Sequence, residues 1–136
     1  MAEESLFAGE SKNIEYKVAV PKKSEKYMKT VVAFANGNGG KIVFGIDDKT
    51  LEIVGMDEDN IFKTMDAITN AISDSCEPRI RPDVTLQTVN DRTVIVVEIL
   101  LGAMRPYYIK SEGMTEGTYM RVSGTTRPVE GYMLKE

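Results

Sequence analysis

The chain has 136 residues, 42% of them apolar and 28% charged, enough for one globular domain with a real core and too apolar for a disordered segment. It contains no histidine and no tryptophan, so histidine-based triads, zinc sites and general bases are excluded. A single cysteine, Cys76, rules out an internal disulfide framework, and the formal net charge of −4 argues against wholesale polyanion binding. That charge is uneven. Glu10 to Lys49 carries eight Lys/Arg against five Asp/Glu, a local +3, whereas Glu52 to Glu77 is acidic. No run of about 18 apolar residues is present, so no membrane span is expected. The polar, acidic start lacks a signal-peptide layout, which makes the cytoplasm the expected location.

Residues 1–9 read as a flexible leader. In NIEYKVAV (13–20), Ile14, Tyr16 and Val18 alternate with polar residues, the period of a half-buried strand ended by Pro21. Ser24 stands as an N-cap, and Met28, Val31, Val32 and Ala35 continue at helical spacing. Asn36-Gly37 offers a left-handed helix end. KIVFGI (41–46) is a continuous β-branched and apolar run, expected as a strand buried on both faces. DDKT turns into a short strand, LEIVGM. Asp57 opens a second helix whose stripe is Ile61, Met65, Ile68, Ile72 and Cys76, ended by Pro78. DVTLQTV and RTVIVVEIL, joined at NDR, form a hairpin. Residues 106–109 and 118–122 give two more strands, and SGTTRP a loop. The order strand, helix, two strands, helix, four strands predicts an α+β (mixed α/β) two-layer sandwich: a largely antiparallel mixed sheet with two main helices.

The densest stretch, FANGNGGKIVFGIDD (34–48), is not a phosphate loop. Gly40-Lys41 is followed by Ile42 rather than Ser or Thr, position 35 is Ala, and the helix precedes the strand, so a helix C-terminus faces the loop. A P-loop ATPase is excluded.

Two clusters of chemistry-bearing residues remain. Glu15 and Lys17 share one strand face, and Asp47 and Asp48 end the central strand. With Glu10 they form an oxygen-donor set of the kind Mg²⁺ or Mn²⁺ takes; read blandly, they are solvated strand residues and a turn. Arg105, Lys110, Arg121 and Arg127 are interleaved with Tyr107, Tyr108 and Tyr119 and followed by Ser123, Thr125 and Thr126. This composition suits phosphate contact and base stacking, or equally a structural tyrosine layer with arginines at its rim.

In this order, ESKNIEYK, AFANGNGGKIVFGIDD, RPYYIK and GTYMRVSGTTRP resemble the motifs of the Schlafen AlbA_2 family, also termed divergent AAA-4, over about residues 10–130. The resemblance implies a mixed α/β nucleic-acid-binding domain (10–130), with residues 131–136 as a tail cut from a longer chain, in a bacterial-type transcriptional regulator or helicase-related protein. Nucleic acid, DNA or RNA, is the implied partner, contacted through Lys17, Lys41, Arg105, Tyr107, Lys110, Tyr119, Arg121, Thr125, Thr126 and Arg127. The alternative it implies is a Mg²⁺- or Mn²⁺-dependent endoribonuclease acting on structured RNA with Glu10, Glu15 and Asp48 as metal ligands and catalytic carboxylates. A lone domain would then pair with a second copy, so a homodimer is the implied assembly.

Overall fold

The computed structural model describes residues 13–129. The anticipated leader, Glu10 and the C-terminal tail lie outside these residues. Strand β1 (Ile14–Lys17) runs into helix α1 (Glu25–Asn36), which returns to strand β2 (Gly40–Phe44). Helix α2 (Ile61–Ser75) and the two-residue β3 (Cys76–Glu77) follow. Next come β4 (Asp83–Val89), β5 (Arg92–Ile99), β6 (Tyr108–Ile109), a one-turn α3 (Gly113–Gly117), β7 (Tyr119–Val122) and β8 (Thr125–Pro128). The mixed α+β architecture is the one the sequence predicts.

The main sheet has the order β1-β2-β5-β4. β1 and β2 are parallel, the other neighbours antiparallel. The parallel pair is possible because α1 supplies the long crossover such a pair needs. Alternation along β2 sends Ile42 and Phe44 to the helical side and Val43 to the other. On the helical side they join Val31, Val32 and Phe34 of α1, Ile68 and Ile72 of α2, and Ile95, Val97 and Ile99 of β5. On the far side, Ile14, Tyr16, Val43, Val94 and Val96 form a second cluster, closed over by Leu51 and Ile53. The central run is thus buried on both faces, as its unbroken apolar character requires.

Several local expectations are corrected. LEIVGM forms only an isolated bridge, Ile46 to Ile53, because Gly45 and Gly55 turn the chain at both ends of the excursion. Helix α2 begins at Ile61, not near Asp57; the Asp57 carboxylate instead accepts the Asp59 amide in a local turn. Ser24 holds the N-cap position of α1, but its hydroxyl makes no capping bond. The last three strands do not extend the main sheet: β6 pairs with β3, and β7 pairs with β8 in a separate ribbon. SGTTRP is therefore a tight turn at Ser123-Gly124 followed by a strand, with both turn residues at positive φ.

The left-handed residue after α1 is Gly39 (φ 79°), not Gly37 (φ −108°). Its N–H donates to the Phe34 carbonyl at 2.9 Å, and its α-carbon is pressed against the backbone leaving β5. A Cβ there would stand 2.7 Å from the Ile99 carbonyl oxygen and 3.1 Å from the Leu101 nitrogen. Gly39→Ala therefore combines a disfavoured φ with a backbone clash, and urea denaturation is expected to show a loss of about 2 kcal/mol or more.

Cys76 ends the α2 stripe in the core, its Sγ 3.6 Å from the Met28 sulfur. Burial pushes its thiol up to about 12. The folded-state value lies above the ordinary thiol value of 9.0, so its contribution to stability is complete below 9.0 and is lost as pH rises towards 12. At pH 8 the native protein is expected to resist iodoacetamide and to label fully only in denaturant, as followed by mass spectrometry.

Candidate nucleic-acid interface

The face of β1 that carries Glu15 and Lys17 looks towards α1, and the β7–β8 ribbon lies against the same helix. These three elements bring together residues 15, 30, 121 and 126. Arg121 reaches in from β7 and donates from Nη1 to Glu15 Oε1 at 2.9 Å and to the Thr126 hydroxyl at 3.1 Å. Its guanidinium also lies over the Phe34 ring, 5.0 Å from the centroid. Thr30, on α1, donates to Glu15 Oε2 at 3.1 Å, and its oxygen stands 3.3 Å from that of Thr126. Lys17 completes the cluster at the solvent edge, 4.0 Å from Glu15 Oε2.

The ion pair is asymmetric in exposure. The Arg121 side chain is 3% exposed and that of Glu15 18%, so the cation is enclosed and the carboxylate touches water. An enclosed guanidinium left without its carboxylate would retain its charge at a large desolvation cost. Among the described residues no buried side-chain nitrogen or oxygen lacks a partner.

Other anticipated contact residues are placed elsewhere. Lys41 pairs in register with Ile14 and Glu98, on the face of the sheet opposite Lys17. Arg105 is at the other end of α1, where Nη1 donates to the Asn36 carbonyl at 3.3 Å. Lys110 follows β6 and ties its amide to the Ser75 carbonyl. Tyr107 and Tyr119, expected to stack on bases, are 5% and 8% exposed and pack in the core. The Tyr107 hydroxyl accepts the Met104 amide, and the Tyr119 hydroxyl donates to Glu112. Burial first, then this carboxylate, pushes the Tyr119 phenol up to about 12.

Asp48 is exposed in the turn after β2. Asp47 accepts the amides of Lys49 and Thr50, which hold its carboxyl below the usual carboxylate range, the Thr50 amide contributing most. Among the described residues no three His, Cys, Asp or Glu side chains gather as a metal-binding group. Glu10, the third member of the anticipated set, is outside them.

Four residues matter whose place in the site motif reading passed over. Thr30 is a hydroxyl on the apolar stripe of α1, a polar interruption that signals an interior partner. Asn36 acts as a clamp: its Nδ2 donates to the Tyr107 and Tyr119 carbonyls, both at 2.9 Å, and its Oδ1 accepts the Tyr107 amide at 2.6 Å. Lys29 lies over the Tyr119 ring, 5.4 Å from the centroid, with Lys26 one turn before Thr30 on the same helix.

The sequence profile of the Schlafen AlbA_2 family matches residues 10–130, nearly the whole chain. The chain belongs to the Schlafen AlbA_2 family. Two solved structures resemble this AlbA_2 domain. One is the N-terminal domain of an ATP-dependent DNA helicase RecG-related protein from Nitrosomonas europaea. It is 26% identical with a TM-score of 0.64, over 94% of this chain and 89% of that one. The other is the DIP2311 protein from Corynebacterium diphtheriae, 24% identical with a TM-score of 0.63 over 87% of this chain. The AlbA_2 domain spans only 22% of that longer chain.

Within the domain, Arg121→Ala is expected to cost about 3 kcal/mol, since it strands Glu15 and removes packing over Phe34. Glu15→Gln keeps a neutral acceptor for Arg121 but leaves the enclosed guanidinium without its counter-charge, and is expected to cost a comparable amount. Paired urea melts of the two variants and their combination would give the coupling energy, expected at about 1 kcal/mol or more.

Proposed function

We propose that this AlbA_2 domain binds nucleic acid through its phosphate backbone, on the face formed by α1 and the β7–β8 ribbon, as a module of a regulator or helicase-related protein. The observation that carries the reading is charge placement. Glu15, the carboxylate on the inner face of β1, is neutralised from within by Arg121. That leaves Lys26 and Lys29 exposed on α1 with Lys17 at the edge, and Arg127, beside the Thr125 hydroxyl, exposed on the other face of the ribbon. Glu25 and Glu112 stand among these lysines and moderate the field. Lys22 and Lys23, exposed just before α1, extend the basic strip. A chain of net charge −4 that gathers its lysines along one helix presents a polyanion with a local, not a global, attraction.

In this reading Lys17, Lys26, Lys29 and Arg127 contact phosphate, and Arg121 positions the ribbon from beneath. Thr125 and Thr126, whose hydroxyls are held by the Val122 carbonyl and by Thr30, accept from Arg127 and Arg121 and so brace them. The neighbour from a DNA helicase RecG-related protein supports it. Fluorescence anisotropy with duplex DNA, single-stranded DNA and structured RNA across a salt series tests it. Affinity should fall steeply with salt, and alanine at Lys26, Lys29 or Arg127 should each lower the log–log slope by about 1. No retention of any of the three at low salt would reject it.

The second reading is metal-dependent RNA cleavage through Glu10, Glu15 and Asp48 with Mg²⁺ or Mn²⁺. It is supported by Glu15 and Lys17 standing side by side at the edge of β1. It requires Glu15 to leave Arg121 for the metal. Incubation of structured RNA with Mn²⁺ should then give products that disappear with EDTA and in Glu15→Ala; intact RNA throughout would remove it.

A further inference from the structure

At the end of α1 remote from the Asn36 clamp, a cleft of about 430 Å³ opens where three elements meet. Ser24 and Glu25 at the start of α1 form one wall, Asp74 and Ser75 in the last turn of α2 a second, and Lys110 and Ser111 after β6 a third. Met28 and Ile109, both buried, give it an apolar lining. The walls are held to one another. Cys76 pairs with Ile109, the Lys110 amide donates to the Ser75 carbonyl at 2.8 Å, and the Cys76 thiol lies 3.6 Å from the Met28 sulfur. A cleft of this size, with a few polar groups set against apolar side chains, has the character of a small-molecule site.

The lining carries two carboxylates and one ammonium, and the chain itself employs none of them. Among the described residues Glu25, Asp74 and Lys110 form no ion pair, and the Ser24 hydroxyl makes no capping bond. Lys110 therefore stands more than 4.0 Å from either carboxylate while facing the same space. Asp74 is also ill-placed for its helix. It adds negative charge at the C-terminus of α2, where the last turn has no basic residue. A cation arriving from solvent would relieve that repulsion. A phosphate-bearing ligand, by contrast, would meet a lining with more carboxylates than ammonium groups. Two anions and one cation around an apolar lining call for the complement: two cations and one anion joined by an aliphatic segment.

We propose that this cleft binds a free basic α-amino acid of the lysine or arginine type. Its two cationic groups face Asp74 and Glu25. Its carboxylate faces Lys110, with the Ser24 and Ser111 hydroxyls as further donors, and its methylenes lie on Met28 and Ile109. The cleft shares only Glu25 with the border of the basic strip, so the inference stands independently of the nucleic-acid reading.

Isothermal titration calorimetry of the whole chain with L-lysine and L-arginine tests it, alongside thermal melts. At least one of the two should bind saturably below about 1 mM and raise the melting temperature. L-Norleucine lacks the side-chain ammonium and cadaverine the carboxylate. Nα-acetyl-L-lysine N-methylamide lacks both charges of the α-carbon, as a lysine within a protein chain does. Each of these should bind at least about tenfold more weakly than L-lysine. Asp74→Asn and Lys110→Ala, both at exposed positions, should each weaken binding at least about tenfold while leaving the ligand-free melting temperature near that of the wild type. Lys63→Ala, in the first turn of α2, should leave the affinity unchanged. Absence of saturable binding by either amino acid up to about 10 mM overturns the proposal. So does equal binding of any of the three analogues, an affinity unchanged in either cleft variant, or an equal loss in Lys63→Ala.

Discussion

A single ion pair, Arg121 to Glu15, organises the half of this domain where β1, α1 and the β7–β8 ribbon meet. The carboxylate belongs to the edge strand of the sheet, the guanidinium to a ribbon that forms no ladder with that sheet, and α1 supplies both Thr30 and the Phe34 ring beneath the cation. An ion pair in this position is weak evidence for net stability, because desolvation of the arginine offsets much of the attraction. Its value is positional: a planar guanidinium with fixed hydrogen bonds to Glu15 and Thr126 admits one seating of the ribbon on the helix. Neutralising Glu15 internally also removes a repulsive charge from the surface where the lysines stand.

Asn36 does the same work at the other end of α1. One side-chain amide satisfies three backbone groups on the chain before β6 and on β7. The ribbon is therefore pinned at two points along one helix, by a charged pair near the sheet edge and by a neutral clamp at the helix end. Between these points the exposed cations of α1 share a frame with the threonines of β8. Long, flexible lysines can follow a phosphate backbone, while the threonine hydroxyls stay where the ribbon holds them.

Much of this fold was legible in the residues. Period-two alternation in 13–17, the helical stripe of 28–35 and the β-branched run 41–46 specify a strand–helix–strand unit, and Asn90-Asp91 between two alternating runs specifies the hairpin. Pairing beyond local range was less legible. Nothing in the short runs around Tyr108 and Tyr119 says which neighbour they meet, so a single continuous sheet was the simplest expectation. Thr125 to Pro128 reads as a loop because its small polar residues, glycine turn and proline carry no apolar period; it is a strand because its partner β7 is held in place. The candidate site divides in the same way. Lys17 and Thr126 stand beside Glu15 and Arg121, whereas Arg127 is on the other face of the ribbon. Arginine–tyrosine interleaving, by contrast, cannot distinguish an outward ring from an inward one, and Tyr107 and Tyr119 turned inward because Met104 and Glu112 satisfy their hydroxyls there. Thr30 needed the third dimension, since its partners are 15 and 96 residues away.

The ribbon's mode of attachment has one further implication. Because β7 and β8 hydrogen-bond to each other and meet the rest of the domain through side chains such as Arg121, Asn36 and Thr126, their outward residues answer to no strand register in the sheet. Substitution, or lengthening of the Ser123-Gly124 bend, alters what the domain displays without disturbing the scaffold. A fold arranged in this way can diversify its ligands across distant relatives while its frame stays recognisable, as it does at a quarter sequence identity.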